Sequence, residues 1–240
     1  MHPTGPLGTE RRHRVDADLC RSVADTLTHD SRLAGLDLGA EVDGGVVHLR
    51  GSVERPADLA TARRLLGRLA GVHAVWDRVR VAGRAPVALD IGAGGQAQYP
   101  ENLGVDLRAD RDVAVRADVS RPLPFADGCV DRIYAVHVLE HLIDYLGLVE
   151  ECHRLLRPGG ILHLMSPWWR HVNAVADPTH IRLLDLQTVK GICAYAPPGR
   201  RWRVLHAGCD GASVLADLTP LAQDEEDGAG DPLHLARFFD

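Results

Sequence analysis

Five short apolar runs, 87–91, 103–107, 113–117, 129–138 and 161–166, constrain this chain more than any other feature. They are rich in Val, Ile and Leu and short for helices, as strands buried on both faces are. Between the fourth and fifth lies a helical stripe over 139–156, carried by Leu139, Leu142, Leu146, Val149, Cys152 and Leu156. Arg157-Pro158-Gly159-Gly160 stops it and turns into the next strand. Strands joined by crossovers predict an α/β fold: a Rossmann-like, mainly parallel sheet with helices on both faces. Ligands of such sheets gather at the carboxyl ends of the strands. Segments 201–206 and 212–217 read as two closing strands, and the acidic stretch 223–231 as a solvated loop.

The rhythm before residue 83 is different. Leu19, Val23 and Leu27 recur at a spacing of four. Segments 36–42 and 46–53 read as strands around the hairpin signal Asp43-Gly44-Gly45. Segment 55–70 is helical, with Leu59, Ala62, Leu66 and Leu69 on one side, and 72–81 is a third strand. The expected organisation is a flexible tail over 1–15 and a small α+β (αββαβ) domain over 16–82. A linker follows over 83–86, punctuated by Gly83 and Pro86, and an α/β domain over 87–240. The element order, the VVHLRGSV strand with its Gly51, and the closing GVHAVWDRVRV resemble a BON domain. That resemblance implies a module that binds membranes or partners and carries no chemistry. A docking or dimerising role fits it here, so a homodimer through this domain and membrane association both stay open.

The net charge of −6 supplies no basic field, so nucleic acid is not an expected partner. Five Cys are scattered without a Cys-x-x-Cys pair, which argues against a disulfide framework or a thiolate zinc site. The start, MHPTGPLGTERRHR, lacks the apolar core of a signal peptide, and no run approaches ~18 apolar residues. A cytoplasmic protein is the expectation.

The stretch LDIGAGGQA, 89–97, could serve either of two nucleotide-handling sites. Gly92, Gly94 and Ala97 fit the dinucleotide pattern Gly-x-Gly-x-x-Gly/Ala. That pattern needs a crossover helix behind its glycines to hold the pyrophosphate. Here Tyr99-Pro100 arrives at once, leaving no room for one, and Asp106 follows Gly92 by 14 positions where ~20 are expected. A methyl-donor site asks for less. It needs glycines for close backbone approach, a carboxylate to accept from ribose hydroxyls, and a polar group at the adenine edge.

The series LDIGAGG, GVDL, RADV, LPFADGCVDRIYAVHVLEHL and RLLRPGGILHLMSP resembles class I S-adenosylmethionine-dependent methyltransferases. It is most similar to the small branch that reads LPF-x-D-x-x-x-D…EHL…R-x-L-x-P-G-G. The resemblance covers roughly 86–185 and implies S-adenosyl-L-methionine as cofactor. By position it assigns Asp90, Gly92 and Gly94 to the methionine part, Asp106 to the ribose, and Asp118 with Val119 to the adenine. His137 would floor the substrate side. The loop GGQAQYPEN stands where the family has a helix, which implies a more open donor pocket.

After the fifth strand, SPWWRHVNAVADPTHIRLLD crowds Trp168, Trp169, His171, Asn173, Asp177, His180 and Asp185 together. The tryptophans would shape an acceptor pocket, and Asp177-Pro178-Thr179-His180 would turn and open a helix. Methyl transfer is an in-line displacement helped mainly by orientation, with a general base needed only when the acceptor must lose a proton. His137 is the first candidate, then His141 and His180. His137, His141, His171 and His180 could also converge on a metal. HVLEH, 137–141, matches a metalloprotease pattern, but His137 ends a strand, so that pattern is accidental and no metal is expected. The reading is a methyltransferase acting on a small-molecule acceptor; the alternative is a non-catalytic scaffold or binding protein on the same fold.

Overall fold

The computed structural model describes residues 6–221; the acidic stretch 223–231 lies outside them. The chain divides into two compact units that meet between Pro86 and Val87.

The first unit opens with α1 (Pro6–His29). The helix begins within the expected flexible tail, ten residues before the Leu19 stripe was expected to start it. Pro6 suits a first turn, because a first-turn N–H has no intrahelical partner to lose. Leu19, Val23 and Leu27 are buried, as their spacing predicts. β1 (Asp37–Asp43) and β2 (Val46–Val53) form an antiparallel hairpin in which Asp43 faces Val46. Gly44 and Gly45 both take positive φ, 56° and 77°, the geometry of a two-residue turn that matches strand twist. The Asp16 carboxylate accepts from both glycine amides, at 3.0 and 3.1 Å, and so ties α1 to the turn. α2 (Pro56–Leu66) buries Leu59, Ala62 and Leu66.

The expected strand 72–81 forms as two pieces, β3 (Ala74–Asp77) and β4 (Arg80–Val81), both parallel to β2. Arg78 N donates to Leu49 O, the last ladder bond of β3 before the break. Fully buried Asp77 accepts from Arg63 Nε at 2.8 Å, which compensates its charge.

The second unit contains, among the described residues, a seven-stranded sheet in the order β10-β11-β9-β8-β5-β6-β7. Its members are β5 (Ala88–Ile91), β6 (Leu103–Asp106), β7 (Val115–Arg116), β8 (Val130–Val136), β9 (Leu156–Pro167), β10 (Trp202–Cys209) and β11 (Ser213–Pro220). The pairs from β7 to β9 are parallel, and β11 runs antiparallel to both β9 and β10. This is the expected Rossmann-like α/β sheet behind a small α+β domain.

Two differences from expectation bear on the site. The stripe 139–156 is not one helix. It breaks into a 3-10 turn, Leu139–His141, and α3 (Tyr145–Leu155). Asp144 restarts the helix as its cap, accepting from Gly147 N at 3.0 Å. Segment 157–160 also lies inside β9 rather than forming a turn before it.

The sheet's two faces are unlike. Leu89, Ile91, Ile133, Ala135, Leu162, Leu164, Ala216 and Leu218 form one apolar face, packed with residues of both α3 and α4 (Leu186–Ala194). Each buried Leu or Ile there contributes about 1.5–3 kcal/mol. The alternate positions carry a polar row that the apolar runs do not predict. Asp90 pairs with Tyr134, Tyr134 with His163, and His163 with Asp217 across neighbouring strands. Tyr134 and His163 stack at 4.7 Å, and His163 Nδ1 lies 2.7 Å from Asp217 Oδ1.

Candidate functional site

The predicted donor residues meet at the carboxyl ends of the adjacent parallel strands β5 and β6. Gly92 and Gly94 follow β5 with φ of +68° and +51°, where an L side chain is strained. A Cβ on Gly92 would also stand 2.6 Å from Val138 Cγ2. Gly92 N donates to Val105 O at 2.8 Å, and Gly94 N to Asp106 Oδ2 at 3.0 Å. The other Asp106 oxygen accepts from Arg108 N at 2.8 Å. The acid expected at the ribose therefore faces the glycine turn directly.

Asp90 is buried, and its Oδ2 accepts from Gln98 N and, at 3.2 Å, from Asn102 Nδ2. Burial raises its pKa, against the lowering effect of these bonds. The shortened segment after the glycines is thus pinned to the end of β5 by one carboxylate in place of a helical ladder. Asp118 accepts from Ser120 N and Ser120 Oγ, at 3.0 and 2.6 Å, and these bonds lower its pKa. Val119 packs at the margin of the apolar core. Asp118 and Val119 follow β7, the neighbour of β6.

His137 follows β8 and is one of two non-glycine residues among those described with positive φ, 56°. Such a conformation costs about 1–2 kcal/mol and persists where surroundings impose it, often at functional sites. Its amide donates to Met165 O at 2.8 Å, while its half-exposed ring places Nδ1 3.1 Å from Glu140 Oε1. The other Glu140 oxygen accepts from Ser166 Oγ at 2.9 Å. Glu140 is 1% exposed. Burial alone would raise its pKa, but the bonds from His137 and Ser166 outweigh burial and hold it lower. Its backbone oxygen accepts from Ile181 and Arg182, anchoring the returning loop.

That loop brings His141 and His180 together. Their rings meet edge to face at 4.8 Å, and His141 Nδ1 lies 3.2 Å from Thr179 O. Segment 177–180 is a turn that does not open a helix. The helix starts at Leu186, capped reciprocally by Asp185 and Thr188. Asp185 supplies this stronger start signal, and the peptides of residues 181 and 182 are already committed to Glu140. Trp168 packs against the core; Trp169 is exposed, and the Arg170 guanidinium lies 5.1 Å from its ring. Glu140 and Ser166 are the site residues that the sequence reading left out. The motif EHL held Glu140 in plain view, but its partner Ser166 stands 26 positions away.

Residues 87–164 match the methyltransferase domain family, and residues 15–83 match the BON domain family. Among named proteins, the chain is 29% identical over 87 residues to the protein YafE of Escherichia coli, covering 32% of this chain and 42% of that one. It is 44% identical over 45 residues to a Mycolicibacterium smegmatis protein named as a probable S-adenosylmethionine-dependent methyltransferase, covering 19% and 18%. The chain thus spans less than half the length of either. Among solved structures, a SAM dependent methyltransferase from Aquifex aeolicus aligns with a TM-score of 0.44 at 15% identity, over 57% of this chain and 82% of that one. Among the described residues, no helix is long and apolar enough to cross a membrane.

Proposed function

We propose that this chain, a BON domain followed by a methyltransferase domain, transfers the methyl group of S-adenosylmethionine to a small-molecule acceptor. The observation that carries this reading is the pairing of Asp106 with Gly94 across the mouth of β5 and β6. A carboxylate and a glycine turn at the ends of neighbouring strands suit a donor with ribose hydroxyls and an amino-acid part and no phosphate. Asp90, Gly92 and Gly94 would line the methionine part, Asp106 the ribose, and Asp118 and Val119 the adenine.

The acceptor side would lie at His137, His141 and His180. His137 is held on Glu140, which orients the ring and leaves Nε2 to take a proton from an acceptor hydroxyl. Holding donor and acceptor in line is the larger contribution, worth about 7–11 kcal/mol where geometry is good.

A second reading, a non-catalytic scaffold on this fold, has its own support. Asp90, Asp106 and Asp118 each already accept from a backbone amide of the adjoining segment. Calorimetric titration of the folded chain with S-adenosylmethionine separates the two. Saturable binding by the parent, weakened about 100-fold or more by Asp106→Ala, is the expected result. No binding by the parent would hand the fold to the scaffold reading.

A further inference from the structure

Glu140, His141 and His180 offer one ligand atom each within 4.8 Å of one another. We propose that these residues form a binding site for a divalent transition-metal ion, with zinc the best fit, between the 3-10 turn after β8 and the loop after β9. The proposal concerns binding alone and requires nothing of the methyl-transfer reading.

The chemistry of the three groups converges on this. Thr179 Oγ1 lies 2.6 Å from Asp177 Oδ1, and an ionised carboxylate only accepts, so the hydroxyl proton is spent there. His141 Nδ1, 3.1 Å from that same Thr179 oxygen and 3.2 Å from Thr179 O, must then be the N–H that donates. In the neutral ring its Nε2 then carries the lone pair. His180 Nδ1 lies 3.3 Å from Ala174 O, which can only accept, so in the neutral ring Nε2 carries the lone pair there too. A metal-binding imidazole shows the same arrangement, with one nitrogen held by a carbonyl or carboxylate and the other left to the ion.

The third ligand is a buried carboxylate. Glu140 is 1% exposed, with His137 and Ser166 holding its two oxygens. Two neutral imidazoles and a carboxylate form a donor set for zinc, or for another borderline ion such as ferrous iron or cobalt. Tetrahedral arms of ~2.0–2.1 Å set ligand atoms ~3.4 Å apart, so the present spread must contract by about 1.4 Å at most. The exposed His141 ring can supply that movement. Asp177 Oδ2, 3.9 Å from His180 Nε2, stands at the rim as a further acidic neighbour.

The test uses the full chain, stripped with a chelator and titrated with zinc chloride in competition with a chromophoric chelator. Cobalt(II) reports coordination through its visible absorption. One equivalent of zinc with a submicromolar Kd is expected. His141→Ala and His180→Ala should each weaken it about 100-fold or more, beyond the ~10–100-fold that loss of a supporting partner costs. His171→Ala should leave it unchanged. Circular dichroism verifies that each variant is folded. Should His180→Ala fail to fold, His141→Gln, at an exposed position, gives the answer. A parent that binds no zinc below about 100 μM overturns the proposal. So does tight binding that His141→Ala and His141→Gln both leave intact, because the ion would then sit elsewhere.

Discussion

The glycine turn and the histidine cluster are built differently. At the glycine turn every carboxylate serves its own neighbourhood: Asp106 holds Gly94 and Arg108, Asp118 holds Ser120, and Asp90 holds residues 98 and 102. At the histidine side the bonds reach across the sequence. Glu140 joins Ser166 and the peptides of residues 181 and 182, and His141 joins Thr179. A side organised by short-range bonds can adjust locally. One organised by bonds across 26 to 42 positions couples segments far apart in the chain.

The largest effect should follow Glu140→Ala. It removes a buried carboxylate and leaves Ser166 Oγ and a cavity behind, costing about 3 kcal/mol by urea denaturation. A cost below about 1 kcal/mol would erase the contrast. Asp90→Asn should cost less, about 1–2 kcal/mol, because the amide oxygen still accepts from Gln98 N. An Asp90→Asn loss larger than that of Glu140→Ala would reverse the comparison.

The smallest effect lies away from both sides. Glu151 accepts from Arg154 Nε at 2.9 Å and from Leu123 N at 2.7 Å, and Arg154 leads in holding its pKa below the usual glutamate range. A depressed folded pKa stabilises above the unfolded value near ~4.3 and loses that contribution as pH falls through the folded one. Glu151→Gln should therefore cost about 1 kcal/mol at pH 7, with the difference from the parent shrinking on the acid side. A difference that grows in acid would reverse that sign.

The same contrast explains what the sequence makes legible. The strands themselves, the hairpin at Gly44-Gly45 and the glycine turn rest on residues close together, whose spacing carries the signal. Asp106 was readable because it ends the strand beside that turn. The Glu140–Ser166 bond and the polar row through Tyr134, His163 and Asp217 depend on register between strands, which hydrophobic runs do not encode. His163 and Asp217 stand 54 positions apart, and each alternates with apolar neighbours that mask it. The break at 142–144 was hidden because Leu139 and Leu142 continue the apolar stripe across it.

Cys152 and Cys193 lie in the apolar core, where burial pushes their thiols up, Cys193 to about 12. They are poor nucleophiles at neutral pH and bear no part in the site.

The segment after β5 has a consequence for how firmly its own amides are held. A crossover helix would protect its amides through a cooperative ladder, released only when several turns unravel together. Here the amides of Gly94 and Gln98 hang on two carboxylates. Each can let go with little more than its own bond, so these amides should exchange with solvent deuterium at low opening free energy, well ahead of those in β5 and β8. The loop can then loosen on its own, pinned and unpinned at Asp90 and Asp106.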